Sequence, residues 1–503
     1  MTDSIPRLIV TLTGRNASAC RTEAIAARDA GADAAEVRID RWPPEERRHL
    51  DALFPSALPL LATVRSRTEG GEGPDDPAER AALFEAIEQL PFAYVDYEID
   101  RDRDAIARAR NEGPRRILSR HLGRSASWDD LQRQLEAIPP TAGIRKVVLP
   151  ASLARTLELA EALRLDPAGP PRVVHTTGPA GALLRAWARR LGFPIVFCAM
   201  PEDDGTDRSP PVEAAQIPVD RIGPFLRAAD APPIFAVVGR PIGQSRSPWL
   251  HHRWFREERR TALYVALEPS SDEEFLAAVP ALAAGGFRGL NVTHPLKGAA
   301  LAAATRIAPN AEACGTANTL TFDGGDVEAD NTDLTAVERR LKELRAEGRW
   351  DGRSVLVVGA GGAARSALAA AQRLGAEARV LARHRERAVS LAARFQATVD
   401  LGDRGRLRPP SLVVHATPVG RRAGEILEVD LASRLGPGTH LLDFVYEPTT
   451  PTLRELAQRA GATYEDGWRL LVYQAAGSYA RWWGAPPPEN DVAALLEGEP
   501  CAG

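Results

Sequence analysis

The first 200 residues alternate between short apolar runs and longer stretches with helical spacing. Eight of the runs have the length and composition of buried strands. They are LIVTL from Leu8, AEVRID from Ala35, LLATV from Leu60, YVDYEI from Tyr94, RILSRH from Arg116, IRKVVL from Ile144, RVVHTT from Arg172 and PIVFCA from Pro194. Alanine- and arginine-rich segments such as CRTEAIAARDAG separate most of them. This α/β rhythm predicts a (βα)8 barrel with its active site at the carboxyl ends of the strands.

A second β/α pattern begins after the polar, proline-bearing segments PEDDGTDRSPPVEAAQ and RAADAPP. It opens with IFAVVG, continues with SVLVVGAGGAARSAL from Ser354 and ends with the helical stretch GWRLLVYQAAGSYARWWG from Gly467. We therefore place a domain boundary near residue 230. The predicted domains are 1–228, 233–332 completed by 466–485, and 333–465. Residues from Pro486 onward are expected to form a loosely held tail.

Composition describes an ordinary globular chain and excludes several classes of protein. Of 503 residues, 44% are hydrophobic and 26% charged, and 67 acidic residues outnumber 63 basic ones, which argues against a nucleic-acid-binding surface. Cys20, Cys198, Cys314 and Cys501 lack metal-type spacing, so no metal site is predicted. No apolar run is long enough for a membrane span, and the chain is expected to be cytoplasmic. A homodimer is left open.

The three lysines of the chain are rare against sixty arginines. Lys342 lies in ERRLKELRAEGR, a charged helix face where a surface lysine needs no further explanation. Lys146 and Lys297 instead lie in short apolar segments. Arginine stays protonated, whereas a lysine removed from water can lose its proton and act as a nucleophile or acid. These two lysines are therefore candidates for chemistry.

In the predicted barrel, Lys146 lies within IRKVVL, where its side chain can point inward and attack a ketone to form an imine. A base is then needed for the neighbouring C–H, and His121 at the end of the fifth run is the candidate, with Glu98 one strand earlier to orient it. Polar side chains suited to a hydroxylated carboxylic acid are Glu36, Arg38, Arg65 and Arg185. The alternatives are a structural histidine and a salt bridge within the EVR triplet.

Together these motifs resemble type I 3-dehydroquinate dehydratase over about residues 5–225. The pattern is E-x-R-x-D, T-x-R-x-x-x-E-G-G, V-D-x-E, S-x-H and a strand lysine. The resemblance implies that Lys146 forms the Schiff base, that His121 is general acid and base with Glu98 behind it, and that Gln216 joins the substrate ligands. The lid departs from the family because VEAAQ places Val212 where serine is usual, and TTG replaces S-M-G. A barrel without activity is the alternative.

The segment VLVVGAGGAAR fits the G-x-G-x-x-A fingerprint of a dinucleotide fold, directly after a strand and before a helix. Its cofactor-binding candidates are Gly359, Ala360, Gly361, Gly362 and Ala363. The next strand, ARVLAR, ends at Arg383 without an acidic residue, and Arg385 and Arg387 follow. An arginine at this place favours the 2′-phosphate of NADP, whereas an acid favours NAD. The alternative is a solvated basic loop.

Around this fingerprint, VVGRPIGQSRSPWLHH, GLNVTHPLKGA, GTANTL and DNTDLTA resemble shikimate dehydrogenase over about residues 234–485. The resemblance implies a two-subdomain unit with a Rossmann NADP-binding domain, in which Lys297 and Asp333 form the catalytic dyad. Substrate ligands would be Ser245, Ser247, Asn291, Thr293, Asn318, Tyr446 and Gln474. Thr417 and Gly467 would join the cofactor site. The departures are HATP with His415 for N-A-T-P, and ARH for N-R-T.

The two resemblances predict a bifunctional enzyme of the shikimate pathway. The barrel would dehydrate 3-dehydroquinate, and the second half would reduce the product, 3-dehydroshikimate, to shikimate with NADPH. One alternative is a barrel aldolase fused to a quinate-type dehydrogenase, and the choice between shikimate and quinate stays open. Another is a regulatory, metabolite-binding fusion, against which the paired lysines and their partners argue.

Overall fold

The computed structural model describes residues 5–109, 113–139, 143–166, 170–201, 213–400, 410–422, 424–448 and 452–497. Its contacts divide the chain into one compact unit of residues 1–233 and 261–281 and another of residues 234–260 and 282–503. This division into two units does not test the three predicted domains, whose limits stay predictions. Within the described ranges, no helix is long and apolar enough to cross a membrane.

The first unit is built around a nearly closed sheet of parallel strands. These are β1 (Arg7–Thr11), β2 (Ala34–Arg38), β3 (Leu60–Thr63), β4 (Tyr94–Glu98), β5 (Arg115–His121), β6 (Ile144–Pro150), β7 (Arg172–Thr177) and β8 (Ile195–Cys198). The order is β7-β6-β5-β4-β3-β2-β1-β8, so that the last strand returns beside the first. Each predicted apolar run forms one strand, and the (βα)8 barrel is confirmed.

Helices follow most of these strands, and local polar residues fix where several of them begin. The helices are α1 (Ala17–Asp29), α2 (Pro77–Glu88), α3 (Arg103–Arg108), α4 (Trp128–Glu136), α5 (Leu153–Leu165), α6 (Ala182–Ala186) and α7 (Val219–Arg227). The side chains of Asn16, Asp76, Ser127 and Ser152 accept backbone N–H groups in the first turns of α1, α2, α4 and α5. The helical spacing of the sequence is thus reinforced by its caps.

Alternation along the strands sorts the barrel interior into layers. An apolar layer includes Ile9, Leu61, Ile117, Ile144 and Val173. Because side chains two positions apart share a face of a strand, the residues two positions farther on also point inward. Those residues include Thr11, Thr63, Ser119, Lys146 and His175, and one more step along the strands reaches Arg38, Arg65, Glu98 and His121. The polar candidates therefore lie above an apolar floor, toward the carboxyl ends of the strands.

The strands after residue 233 are β9 (Ile234–Val238), β10 (Leu263–Leu267), β11 (Phe287–Val292), β12 (Arg306–Ile307), β13 (Thr319–Asp323), β14 (Asp326–Asp330), β15 (Ser354–Val358), β16 (Glu377–Leu381), β17 (Thr398–Val399), β18 (Leu412–His415), β19 (His440–Asp443) and β20 (Thr463–Glu465). In the second unit, β9, β11, β13, β14 and β12 are adjacent in that order. A parallel sheet has the order β17-β16-β15-β18-β19-β20. The chain reverses direction across this sheet between β15 and β18, which is where doubly wound folds bind ligands. The predicted Rossmann domain is confirmed.

The helices of this region are α8 (Ser247–Glu257), α9 (Asp272–Ala284), α10 (Lys297–Ala302), α11 (Pro309–Cys314), α12 (Thr332–Ala346), α13 (Gly362–Arg373), α14 (Arg385–Phe395), α15 (Thr452–Arg459), α16 (Trp468–Trp483) and α17 (Glu489–Glu497). The predicted closing helix is α16. Lys342 is exposed on α12 and pairs with Glu338 one turn away at 2.6 Å, as expected for a surface lysine.

The prediction of a loose tail from Pro486 is wrong for residues 489–497. They form α17, whose Leu495 is buried and accepts the indole N–H of Trp468 at 2.7 Å. Asp491 of the same helix receives a hydrogen bond of 2.6 Å from Arg253. The three prolines before α17 suggested an irregular end, but proline is also compatible with the start of a helix, where its missing N–H has no partner to lose.

Candidate active sites

Lys146 lies inside the barrel, where the sequence predicted it. It is 3% exposed, and its Nζ is 2.6 Å from Oδ2 of Asp96 on β4 and 4.3 Å from the ring centroid of Phe197 on β8. Burial by itself acts to raise the pKa of Asp96, but the charges of Lys146 and Arg65 hold it below its usual range. The amine thus rests in a buried ion pair with one aromatic wall.

His121 is held by Glu69 and not, as predicted, by Glu98. Oε2 of Glu69 is 2.8 Å from Nδ1 of His121 and accepts its backbone N–H at 3.0 Å. Burial and the nearby Glu98 carboxylate raise the pKa of Glu69 to about 8. Burial and the positive charges of Arg65 and Lys146 lower the pKa of His121 well below 6.5. The imidazole is therefore neutral near pH 7, with its Nε2 not engaged by Glu69.

Glu98 contributes to a different buried network. Its Oε1 accepts the backbone N–H of Ser66 at 2.8 Å, and its Oε2 is 3.2 Å from Nη2 of Arg80. Arg80 also binds Asp102 through two hydrogen bonds of 2.7 and 2.9 Å. Glu98 fixes the loop after β3, because Arg65 and Ser66 both contact its carboxylate. Its influence on His121 passes through that loop, since Glu69 lies three residues after Ser66.

The remaining barrel candidates form two polar groups near the lysine. Glu36 accepts hydrogen bonds from Thr11 at 2.6 Å and Thr63 at 2.8 Å, and Thr11 in turn accepts the amide of Gln216 at 2.9 Å. Arg38 makes a bidentate pair with Asp40, with both distances 2.8 Å. The salt bridge considered for the EVR triplet therefore exists, but its acid is Asp40. Val212 of the altered lid lies outside the described residues.

Arg185 on α6 is a buried cation whose partners are carbonyl oxygens. It donates to the carbonyls of Gly181 at 3.0 Å and Phe197 at 3.3 Å, and burial lowers its pKa to about 10. Among the described residues no carboxylate is within salt-bridge distance of Arg185, and the charge of Glu213 acts on it from farther away. A guanidinium in this condition is suited to bind an incoming carboxylate.

Two residues of the barrel site, Asp96 and Glu69, were not singled out in the sequence. Both carried a signal. Asp96 lies two positions before Glu98 on the same strand, so both side chains point into the barrel. Glu69 is the acid of the T-x-R-x-x-x-E-G-G motif around Arg65. The spacing of these residues in the sequence does not show that Asp96 contacts Lys146 or that Glu69 contacts His121.

In the second unit, the predicted dyad is in contact. Nζ of Lys297, at the start of α10, is hydrogen-bonded to Oδ2 of Asp333, in the first turn of α12. The other oxygen of Asp333 accepts the amide of Asn318 at 2.9 Å, and that amide lies 3.5 Å from Oε1 of Gln474. Asn331 caps α12 by accepting the N–H of Leu334, which explains why DNTD turns into a helix here. Four predicted residues thus form one connected cluster.

The other predicted substrate ligands lie on the elements around this cluster. Asn291 at the end of β11 is buried and receives a hydrogen bond from Ser478 of α16 at 3.4 Å. Thr293 donates its backbone N–H to Val238 of β9. Ser247 begins α8, and its backbone N–H is 3.3 Å from Oγ of Ser245. The hydroxyl of Tyr446 accepts the backbone N–H of Arg246 at 3.3 Å, next to the two serines.

The glycine-rich loop has the shape that a dinucleotide needs. Gly359 has φ +123°, and a Cβ there would lie 2.8 Å from the carbonyl oxygen of Ala416. A Cβ on Gly361 would meet nothing within 4 Å, so the backbone faces open space at the start of α13. A Cβ on Gly362 would lie 2.8 Å from Cδ of Lys297, which places the dyad beside the loop. Ala360 and Ala363 pack against the core of this subdomain.

His415, the departure in HATP, belongs to a buried relay. Its Nδ1 is 2.8 Å from Oδ1 of Asp443, and its other ring nitrogen is 2.6 Å from the hydroxyl of Thr417. In the tautomer whose Nδ1–H donates to the Asp443 carboxylate, Nε2 accepts the hydroxyl proton of Thr417. Thr417 then presents its oxygen as an acceptor beside Gly359. Gly467 caps α16, and a Cβ there would lie 2.3 Å from the carbonyl oxygen of Phe444.

Arg383 is exposed after β16, and its role at the cofactor stays a prediction. Its Nη1 pairs with Glu428 at 3.1 Å, and its Nε donates to His384 at 3.1 Å. The structure therefore brings together the dyad, its neighbours Asn318 and Gln474 and the glycine loop, and leaves Arg383 on the surface. No cluster of side chains able to hold a metal ion was found in the described part of the chain.

A barrel with a buried lysine beside a histidine, and a two-subdomain unit with a lysine–aspartate dyad beside a dinucleotide loop, define a class of two-site enzymes. Comparison with known proteins agrees. Residues 8–229 match the family model of type I 3-dehydroquinase, and residues 237–320 match that of the shikimate dehydrogenase substrate binding domain. The chain belongs to the shikimate dehydrogenase family and carries a type I 3-dehydroquinase domain before it. Both predicted resemblances are confirmed.

Similar proteins include the shikimate dehydrogenase (NADP(+)) of Acidiphilium cryptum, 39% identical over 260 residues that cover 51% of this chain and 92% of that protein. That of Halobacterium salinarum is 37% identical over 265 residues, 52% of this chain and 98% of the relative. Shikimate dehydrogenase of Thermus thermophilus, solved with NADP(H) and shikimate, has 29% identity and a TM-score of 0.46 over 53% of this chain and 98% of its own. Dehydroquinate dehydratase and shikimate dehydrogenase from S. pombe has 22% identity and a TM-score of 0.41 over 98% of each chain.

Proposed function

We propose that the chain catalyses two consecutive reactions, the dehydration of 3-dehydroquinate in the barrel and the NADPH-linked reduction of 3-dehydroshikimate in the second unit. The observation that carries the proposal is the same in both halves. A buried or half-buried lysine contacts a carboxylate, at a place where the matched family requires chemistry on a ketone. The product of the first reaction is the substrate of the second.

In the barrel, Lys146 acts as the nucleophile. Its ammonium first gives up a proton, for which Asp96 at 2.6 Å is the acceptor in contact. The free amine adds to the ketone of the substrate, and loss of water gives an imine. The imine draws electrons from the neighbouring carbon and so makes its C–H acidic.

His121 then moves the protons of the elimination. Its Nε2 takes the proton from the carbon next to the imine and delivers a proton to the hydroxyl that leaves as water. Glu69 supports both steps because its Oε2 accepts from Nδ1 and holds the ring in the tautomer with a free Nε2. Hydrolysis of the imine releases 3-dehydroshikimate and restores Lys146.

Arg185 and Gln216 would bind the carboxylate of the substrate. The buried Arg185 guanidinium donates to the carbonyls of Gly181 and Phe197, and the amide nitrogen of Gln216, which donates one hydrogen to Thr11, has a second hydrogen to donate. A carboxylate would give the cation its counter-charge. Arg38, Arg65 and Glu36 offer further polar contacts to the hydroxyl groups.

In the second unit, Lys297 acts as the acid. NADPH would supply a hydride to the carbonyl carbon, and negative charge then develops on the carbonyl oxygen. The Lys297 ammonium stabilises this charge and donates a proton to it, while Asp333 holds the ammonium in place and binds Asn318. Because the charge appears mainly in the transition state, this contact should accelerate the reaction more than it strengthens substrate binding.

The cofactor site fits NADP on the residues present. The open backbone at Gly361 and the start of α13 suit the pyrophosphate, and Thr417 lies beside this loop at Gly359. Arg383 is exposed at the strand end where a 2′-phosphate is read, and no acid replaces it there. The relatives from Acidiphilium cryptum and Halobacterium salinarum are shikimate dehydrogenases (NADP(+)), which supports the same preference. The 2′-phosphate would replace Glu428 as the partner of Arg383 and would bind the guanidinium more strongly.

The cellular setting is inferred from the cysteines. Cys20, Cys198 and Cys314 are free and buried, which is typical of a reducing compartment and supports a cytoplasmic location. A homodimer would be tested by light scattering of the purified chain.

A coupled assay tests the function directly. The purified chain is given 3-dehydroquinate with NADPH, and separately with NADH, and 3-dehydroshikimate and shikimate are measured. Both products should form, faster with NADPH. Borohydride added during turnover should trap an adduct on Lys146, and Lys146→Arg should abolish dehydration while reduction continues. Normal dehydration by Lys146→Arg would refute the Schiff base, and faster turnover of quinate than of shikimate in the reverse direction would change the substrate.

A further inference from the structure

The barrel contains a second histidine that the mechanism above does not use. His175 lies on β7 and is 2% exposed, and neither of its ring nitrogens has a hydrogen-bond partner in the described part of the chain. Buried polar groups in folded proteins are almost always hydrogen-bonded, because the loss of water is otherwise uncompensated. An imidazole in this condition is prepared to bind a group that arrives with the substrate.

The strand pattern directs His175 into the substrate site. Val173, two residues earlier on β7, belongs to the apolar interior layer, so His175 also points inward. His175 is in register with Val148 of β6, and Val148 is in register with His121 of β5. The two histidines therefore lie on either side of the strand that carries Lys146.

One aromatic ring joins the lysine and the histidine. Nζ of Lys146 is 4.3 Å from the ring centroid of Phe197, and the His175 ring meets the same phenyl ring edge-on, with centroids 5.9 Å apart and an angle of 86° between the planes. A ketone carbon bonded to Lys146 would thus lie between His121 and His175.

The charge state of His175 restricts the kinds of chemical group that it can bind. Burial, followed by the positive charges of Arg185 and Lys146, lowers the pKa of His175 well below 6.5. The ring is neutral and offers one donor and one acceptor, which matches an alcohol. The charged Arg185 is the better partner for a carboxylate.

We propose that His175 binds a hydroxyl group of the substrate on the flank of Lys146 opposite His121, and that it thereby selects hydroxylated substrates. The inference rests on the proposed dehydratase function. In 3-dehydroquinate the ketone carbon has a methylene group on one side and a hydroxyl-bearing carbon on the other. His121 takes its proton from the methylene, so the hydroxyl faces β7 and His175.

The experiment compares wild type, His175→Phe and His175→Gln on two substrates. One is 3-dehydroquinate, and the other is the analogue that lacks the hydroxyl next to the ketone. Phenylalanine keeps a ring in place but removes both nitrogens, whereas glutamine keeps one donor and one acceptor. With 3-dehydroquinate, kcat/KM of the phenylalanine variant should fall about ten- to a hundredfold, because a buried hydroxyl is left without its partner. With the analogue it should change little, and glutamine should restore most of the loss.

Reduction of 3-dehydroshikimate by the same preparations serves as the folding control. An equal loss with both substrates would show that His175 only packs the barrel, and an unchanged kcat/KM with 3-dehydroquinate would show that it does not contact the hydroxyl; either result overturns the inference. Absence of dehydration in the wild type would instead overturn the proposed function, and the inference with it.

Discussion

Replacement of Glu69 by glutamine should make the barrel more stable and less active. The neutral amide keeps the shape of the side chain and can still accept the backbone N–H of His121, but it carries no buried charge. Burial and Glu98 raise the pKa of Glu69 from its ordinary value of 4.5 to about 8, and its side chain is 9% exposed. The native state therefore holds a proton on Glu69 over a pH range in which the unfolded chain has lost it.

The sign and size of the effect follow from that difference. A raised pKa gives a contribution to stability that is complete below pH 4.5 and is lost as the pH rises through about 8. At about 1.4 kcal/mol per pH unit, the lost contribution is about 3 kcal/mol at pH 7 and about 5 kcal/mol above pH 8. Glu69→Gln avoids this loss, so its advantage over wild type should grow by about 2 kcal/mol between pH 6 and pH 8.

Calorimetric unfolding at pH 6 and pH 8 measures this advantage, and dehydration and reduction assays run beside it. Dehydration should fall, since the amide cannot take up and release a proton as the carboxyl group of Glu69 can, and reduction should not change. Asp96→Asn is the matched control of opposite sign, because it leaves Lys146 buried without its carboxylate and should destabilise the barrel by about 3–5 kcal/mol. The reasoning would be refuted if Glu69→Gln were less stable than wild type at pH 8. It would also be refuted if the difference in stability between the two were the same at both pH values.

Three further predictions concern the second unit. Lys297→Ala and Asp333→Asn should each lower kcat for reduction by about a hundredfold or more with a smaller change in KM, and the double variant should be no worse than the sum of the two; a raised KM at constant kcat would make both residues substrate ligands only. Gly362→Ala should impair reduction, because the added Cβ would lie 2.8 Å from Cδ of Lys297. The control is Gly361→Ala, whose Cβ would meet nothing within 4 Å and which should unfold at the wild-type temperature. Equal reduction rates for wild type and Gly362→Ala would contradict this. Arg383→Ala should lower the affinity for NADPH relative to NADH about ten- to a hundredfold in titrations, and an unchanged ratio would place phosphate recognition elsewhere.

Much of the site could be predicted from the sequence because its signals are local. The alternation of apolar and polar residues located every barrel strand and showed that Lys146 points inward. Glycine spacing after a strand located the dinucleotide loop, and the segments around Lys297 and Asp333 are close enough in sequence to indicate one cluster. Each of these features depends on residues within one or two neighbouring elements.

The partners across the barrel were decided only by the tertiary structure. The position of a residue along its strand determines whether its side chain points inward and which layer of the barrel it occupies. The register between strands and the path of each loop determine which other side chains it contacts there. Glu98 and Glu69 both suited His121 by type, and the loop after β3 brings Glu69 to it over 52 positions of sequence. The ion pair of Lys146 with Asp96, and the position of His175 beside Phe197, likewise arise from strands that are distant in the chain and adjacent in the closed sheet.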